Sequence, residues 1–210
     1  MKSSFTETLK NTSIGFALIL AIQLTVYGQN DSTELSDLER TFMPAIQMGY
    51  VHHGTAELSG GLMIQTSIEY RDISNFIFRL NYDDFNSSIT QEYPISPEIS
   101  FTGKTSFSEL IVGIGYRHSL NKHHITGYIQ PGARFYGYPV FHVDSNQVQL
   151  DFNSRNIGMI RYSIGYEYML APRLFFTIEA LASHVLKSID YWADNRWSYG
   201  ITLGISAPLF

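Results

Sequence analysis

The sequence predicts an all-β fold, an eight-stranded antiparallel up-and-down β-barrel, on three observations. Eight segments alternate in polarity with a period of two, no helix-period segment interrupts them, and their connections alternate strictly between short and long. In six of the segments every charged residue except Asp84 falls on one alternating face, and the other face is chiefly a row of Leu, Ile, Val, Phe and Tyr. Between Leu62 and Arg71 the even positions read Leu62, Ile64, Thr66, Ile68 and Tyr70, and the odd ones Met63, Gln65, Ser67, Glu69 and Arg71. Such a segment is a strand with an oily face and an ionic face.

The N-terminus comes first and is not part of the barrel. Lys2 and Lys10 precede an apolar run from Ile14 to Val26, which ends at Tyr27 and Gly28 before Gln29, Asn30 and Asp31. That run is too short to span a bilayer as a helix and has the length of the apolar core of a secretory signal, with Gly28 as the last residue before cleavage. Residues 1–28 are therefore expected to be a signal peptide and the mature chain to be exported; an uncleaved anchor or a buried helix is the alternative. With no cysteine anywhere in the chain, a lipid anchor on Cys, disulfides, thiolate metal sites and Cys nucleophiles are all excluded. Residues 29–41 are polar and acidic and read as a short tail, with one turn of helix expected around Leu35 to Arg40.

Residues 42–210 form the expected barrel, with strands near 44–53, 61–71, 76–85, 107–119, 124–137, 156–169, 174–185 and 196–206. Strands two and three are joined by Asp72 to Asn75, four and five by Leu120 to His123, and six and seven by Leu170 to Arg173 with Pro172. The other connections, 54–60, 86–106, 138–155 and 186–195, are longer and rich in Ser, Asn, Asp, Gly and Pro. All short links thus lie at one end of the barrel and all long ones at the other.

Alternation alone does not say which face is inside. Three features put the ionic face inward. Its long charged side chains sit beside Ser67, Gly113, Gly115, Gly132, Ser163, Gly165, Ser183, Gly200 and Gly204, a mixture suited to a crowded closed interior. Aromatics of the oily face gather in two belts. Tyr70, Phe76, Tyr116, Tyr166, Tyr168 and Phe176 lie toward the short turns, and Tyr50, Tyr82, Phe135, Trp197 and Tyr199 toward the long connections. Apart from Asp84 at the outer end of its strand, the oily face carries no Asp, Glu, Lys or Arg, where one basic side chain at a bilayer midplane costs about 2–4 kcal/mol. A strand of about ten residues, rising ~3.3 Å each and tilted near 40°, climbs roughly 25 Å, the height of an outer-membrane apolar band.

With those features the chain resembles the eight-stranded outer-membrane β-barrels of Gram-negative bacteria, the OmpA-like and OmpX-like kind. The resemblance covers the signal sequence, the eight strands, the short turns, the long loops and a terminal Phe210. It implies a location in the outer membrane, contact with its lipid including lipopolysaccharide, and reading of the last strand and Phe210 by the barrel-assembly machinery. Trp197, Tyr199, Ile201, Leu203 and Ile205 set an odd-numbered outward face whereas Phe210 is even, and Pro208 is expected to bulge or end the strand. With the last strand at the end of the sequence, the peptidoglycan-binding domain that OmpA-like proteins often append is not expected.

The ionic faces hold Glu69, Asp83, Glu109, Glu167 and Glu179 against Arg71, Arg79, Arg117, Arg134 and Arg161. A barrel of eight strands is just wide enough for side chains to fill it. These ten are accordingly expected to form an interior ion-pair network in a plugged, monomeric barrel, and a solute pore is not. Function then falls to the long connections, with 86–106 and 138–155 as the candidate surface for an external ligand.

Two other functions compete. Outer-membrane lipid A deacylases resemble this chain in strand number and in a His near the outer end of strand seven, where His184 stands. Their His-x-Ser-Asn order is replaced here by His184, Val185, Leu186, Lys187, Ser188, so Ser188 is displaced and the Asn is absent. By parity Ser183 points away from His184, and a hydroxyl needs its base within hydrogen-bond reach. An exported lipocalin-like binder, with the oily face inward, is the second alternative. His52 and His53 are consecutive on a strand and face opposite ways, and His123 with His124 is expected to be solvated in a short turn. No motif implies a cofactor or metal. The formal charge of -5 and the lack of a basic aromatic patch exclude nucleic acid as the expected partner.

Overall fold

The computed structural model describes residues 40–54, 58–72, 75–93, 96–144, 147–187 and 196–209. The expected signal segment, the tail up to residue 39, Ser188 and Phe210 lie outside them. The described chain forms eight strands: β1 (Arg40–His53), β2 (Gly61–Asp72), β3 (Phe76–Tyr93), β4 (Ser96–Leu120), β5 (His123–Asp144), β6 (Gln147–Ala171), β7 (Leu174–Val185) and β8 (Trp197–Ser206). Each pairs antiparallel with its neighbour in sequence, and β8 returns to β1 from Ala45↔Ser206 to His53↔Ser198, closing the barrel.

The short turns fall where the sequence puts them. In the β4–β5 turn Asn121 takes the left-handed conformation at φ 56, a conformation its short polar side chain tolerates. In the β6–β7 turn Pro172 presets its own φ and Arg173 follows in the left-handed region at φ 68.

Three boundaries differ from expectation. Arg40 and Thr41 belong to β1, paired with Asp72 and Arg71, and not to a tail. The segments 86–106 and 138–155, expected as loops, are mostly strand. β3 and β4 stay paired from Asn86↔Ser106 to Glu92↔Ser100, and β5 and β6 from Tyr138↔Asn153 to Asp144↔Gln147. β2 stops opposite Phe85 and the β4–β5 ladder begins at Ser106↔Gly137, so these two hairpins rise beyond the closed barrel. Their strands escaped the sequence reading because a ribbon with the same medium on both faces has no reason to alternate.

At the other terminus β8 ends at Ser206 but the chain stays bonded to β1, with Ala207 N–H donating to Pro44 O at 3.3 Å and Leu209 N–H to Phe42 O at 2.8 Å. Pro208 falls between those two donors. Its missing N–H belongs to the edge turned away from β1, so proline interrupts no bond there.

The barrel is sided as the alternation requires. Along β2, Leu62 is 74% exposed and Met63 1%. Leu80, Val112, Ile114, Ile129, Ile164, Ile201 and Leu203 are exposed on the outside, whereas Gln65, Glu69, Asn81, Glu109, Gln130 and Glu179 are buried within. This is the reverse of a soluble ligand-binding barrel and overturns the lipocalin-like alternative. Toward the short turns the interior holds a small apolar group of Met43, Met169 and Phe175. Toward the long connections it holds a larger one built on Val51, Met63, Phe85, Phe107, Ile157, Met159 and Val185. Leu58, from the β1–β2 connection, is 2% exposed and belongs to that second group. Ser59 N–H bonds Ser88 O at 2.9 Å and holds the connection down against β3.

Candidate functional site

Between the two apolar groups lie all ten charged residues of the ionic face, brought together from β2, β3, β4, β5, β6 and β7. They form two chains of alternating sign. The one nearer the short turns runs Arg117, Glu167, Arg71, Glu69, Arg79, Glu179. Arg117 Nε donates to Glu167 Oε2 at 3.1 Å, and Arg71 Nη2 to Glu167 Oε1 at 2.6 Å and Glu69 Oε2 at 2.6 Å. Arg79 Nε donates to Glu69 Oε1 at 2.7 Å and Nη1 to Glu179 Oε2 at 2.6 Å.

Glu69 is the hub of this chain. It accepts from both Nε and Nη2 of Arg71, from Nε and Nη2 of Arg79, and from the Tyr128 hydroxyl at 2.8 Å. The Tyr128 ring also lies under Arg79, with the guanidinium carbon 3.6 Å from its centroid, close enough for a cation–π contact. Gly115 makes room for that ring, since a Cβ there would come within 2.3 Å of it. The small residues of the ionic face are thus tied to its large ones.

The second chain runs Asp83, Arg161, Glu109, Arg134. Arg161 pairs with Asp83 and Glu109, and Arg134 Nε donates to Glu109 Oε1 at 2.6 Å. Its spare donors reach hydroxyls: Arg161 Nε to Ser183 Oγ at 3.2 Å, and Arg134 Nη1 to Ser198 Oγ at 3.2 Å. Each chain carries equal numbers of arginines and carboxylates, so each is neutral within itself. Burial of ions is costly unless they are paired and hydrogen-bonded; the alternation pairs every one of the ten, and hydrogen bonds hold all of them but Asp83, whose contact with Arg161 is an ion pair alone.

Besides Tyr128, two histidines of the interior were not singled out as site residues from the sequence. His53 is buried at the edge of the second chain, with Nδ1 2.9 Å from Ser198 Oγ and Nε2 3.1 Å from Ser87 Oγ, and its ring lies against Phe85 and Phe107. The adjacent exposed His52 confirms the opposite orientation of the pair. His124 is buried rather than solvated: it opens β5 pointing inward against Phe175, while His123 points out and meets the Tyr166 hydroxyl at 2.6 Å. Parity on β1 and β5 was the available signal, because each residue shares the inward register of its strand's buried positions.

The structure offers the hydrolase alternative no support. His184 lies on the outer face of β7 with its ring 4.6 Å from that of Trp197, and its Nδ1 has no hydrogen-bond partner. Ser183 faces inward and is engaged by Arg161, and Ser188 is outside the described residues. His184 instead extends an aromatic group of Trp197, Tyr199 and Tyr162 near the long connections. The opposite belt contains the pairs Phe42–Tyr70 and Phe76–Tyr116, and His123 against Tyr166 and Tyr168.

No protein-family model and no curated protein matches the sequence. Solved structures do match in shape. Neisserial surface protein A superposes with a TM-score of 0.57 at 9% identity, over 79% of this chain and 96% of that one. A major outer membrane protein from Thermus thermophilus gives 0.57 at 13% identity, over 80% and 99%. The outer membrane protein OprG from Pseudomonas aeruginosa gives 0.54 at 6% identity, over 81% and 94%.

This chain has the fold of the small outer-membrane β-barrels.

At such identities the likeness is one of architecture, and it agrees with the closed eight-strand order and the outward apolar face. The interior chemistry of the barrel is read from its own residues.

Proposed function

We propose that this barrel resides in an outer membrane as a non-enzymatic envelope protein, with an interior closed to solutes and a structural or surface-interaction role carried by its two projecting hairpins. The observation that carries this reading is the pairing of all ten interior charges, in two neutral chains, between an apolar group at each end. A conducting path needs a continuous column of mobile water, and the buried polar groups left without a protein partner among the described residues, such as the amides of Gln65, Asn81 and Gln130, lie among the ion pairs. Here guanidinium and carboxylate are committed to each other, and Phe85, Phe107 and Leu58 stand over them.

The outer face supports the location. Exposed Leu, Ile, Val and Phe without a charge between two aromatic groups suit lipid contact, and an apolar area of this extent is a liability in water. Beyond Ser88 and Tyr138 the hairpins pair only within themselves and belong to no closed part of the barrel, which suits them to meet an external ligand. Export through cleavage after Gly28, contact with lipopolysaccharide, and delivery by the barrel-assembly machinery through the last strand and Phe210 belong to the same reading.

Fractionation tests it. Cells expressing the full chain should hold the protein in the outer-membrane fraction after detergent-free extraction of the periplasm. The unboiled protein should also migrate differently from the boiled one in SDS gels. Release as a soluble protein with no heat shift would refute the membrane location.

A further inference from the structure

The outer wall of the barrel contains an apolar slot that its own packing does not explain. It is a shallow recess open to the surroundings, with a volume of about 450 Å³. Its walls are Phe76, Ile114, Tyr116, Ile129 and Ile164, and it lies over Gly127 on β5. Gly127 pairs with Tyr116 on one side and Ile164 on the other, and it occupies an outward position between Ile125 and Ile129.

Gly127 is unlike the interior glycines. A Cβ at Gly115, Gly113 or Gly204 would collide with atoms under 3.0 Å away, so crowding dictates those residues. At Gly127 the nearest heavy atom to such a Cβ is Ser163 O at 4.0 Å, and no glycine of the described chain has a positive φ. Neither packing nor backbone conformation calls for glycine here. A glycine in a strand interior weakens the strand, and such residues mark places where a ligand approaches the backbone.

The slot also has a charged end. From Gly127 toward the short turn the exposed Ile125 comes next, with His118 of β4 paired across from it, and beyond them Lys122 stands exposed in the turn and His123 meets the Tyr166 hydroxyl. The outward positions of β4 from Ile114 to Leu120, of β5 from His123 to Ile129 and of β6 from Tyr162 to Leu170 include no carboxylate. We infer that the Gly127 slot binds one glycerophospholipid of the leaflet at the short-turn side, one acyl chain lying over Gly127 and the phosphate held by Lys122 and His118. The inference rests on the outer-membrane reading above, which supplies the leaflet. The length of β5 between Gly127 and His123 separates the apolar slot from the cationic end in the way a chain is separated from its headgroup.

Native mass spectrometry of the full chain, folded in detergent, tests the site by titration with dipalmitoyl phosphatidylethanolamine and, in parallel, with dipalmitoylglycerol, which lacks the phosphate. Wild type should retain one phosphatidylethanolamine in preference to the diacylglycerol. Gly127→Leu, which fills the slot, should weaken retention of both lipids at least about fivefold. Lys122→Ala combined with His118→Ala should lower the phospholipid preference about tenfold, the loss expected for charge-assisted bonds to phosphate. Ala180→Leu, on the outward face of β7, should change neither.

Heat-shifted migration of every variant verifies the fold independently. A folded Gly127→Leu that binds as wild type overturns the site and leaves the barrel reading intact, whereas loss of the heat shift in wild type overturns that reading itself. A dimer that Gly127→Leu abolishes would assign the slot to a second copy of the chain and also overturn the lipid assignment.

Discussion

Glu69 concentrates the chemistry of the interior in one carboxylate. Two guanidiniums and a phenol donate to it, and it is 2% exposed. Glu69→Ala would leave Arg71 and Arg79 short of a shared counter-charge in a closed space, a change that costs about 3–5 kcal/mol. Urea unfolding of the barrel from lipid vesicles should register that loss. Tyr128→Phe keeps the ring under Arg79 and removes only the hydroxyl, so it should cost less, about 1.5–3 kcal/mol for a bond to a charged acceptor. Equal stability of Glu69→Ala and wild type would show that the chain is not held by its ion pairs. The ten charged residues were legible in the sequence because each shares the parity of its strand. Their partners were not, because Arg71 on β2 and Glu167 on β6 meet only after closure sets the registers of every strand between them.

At the scale of elements, the barrel and its hairpins obey different rules. The strands that meet apolar surroundings outside and ion pairs inside were readable from alternation, as β2 and β7 illustrate with their near-continuous exchange of buried and less buried positions. The outer parts of β3 to β6 were not, since both of their faces lie outside the barrel wall. Because segment 91–101 pairs within its own hairpin, replacing it by an Asn-Gly turn should leave the heat-shifted migration of the barrel unchanged. The β1–β2 connection should behave otherwise. Leu58 is packed into the apolar group near the long connections, and Leu58→Ala should lower unfolding stability by about 2–5 kcal/mol, a core-sized effect from a loop residue. A substitution without effect on the urea midpoint would mean that the connection is not part of the core. Nothing in the sequence of that connection distinguishes Leu58 from a solvated loop residue; its burial depends on Ser59 being held by Ser88 of β3.

For the whole molecule, charge balance, closure and sidedness are a single arrangement. Closing eight strands leaves an interior that side chains can occupy, and placing charges there demands partners at short range. Equal numbers of arginines and carboxylates meet that demand without a net interior charge, and the aliphatic outer wall is then free to face lipid. Fold and sidedness follow from local pattern, so they were within reach of the sequence. The occupant of the hairpins is set by surfaces with no periodic constraint, which is why the sequence names no ligand for them. The direct test of a closed interior is single-channel recording of the purified barrel in planar lipid bilayers. Wild type should insert without stable unitary currents, and Arg134→Ala should lower stability while remaining silent. Large, stable unitary steps from wild type would contradict the closed interior.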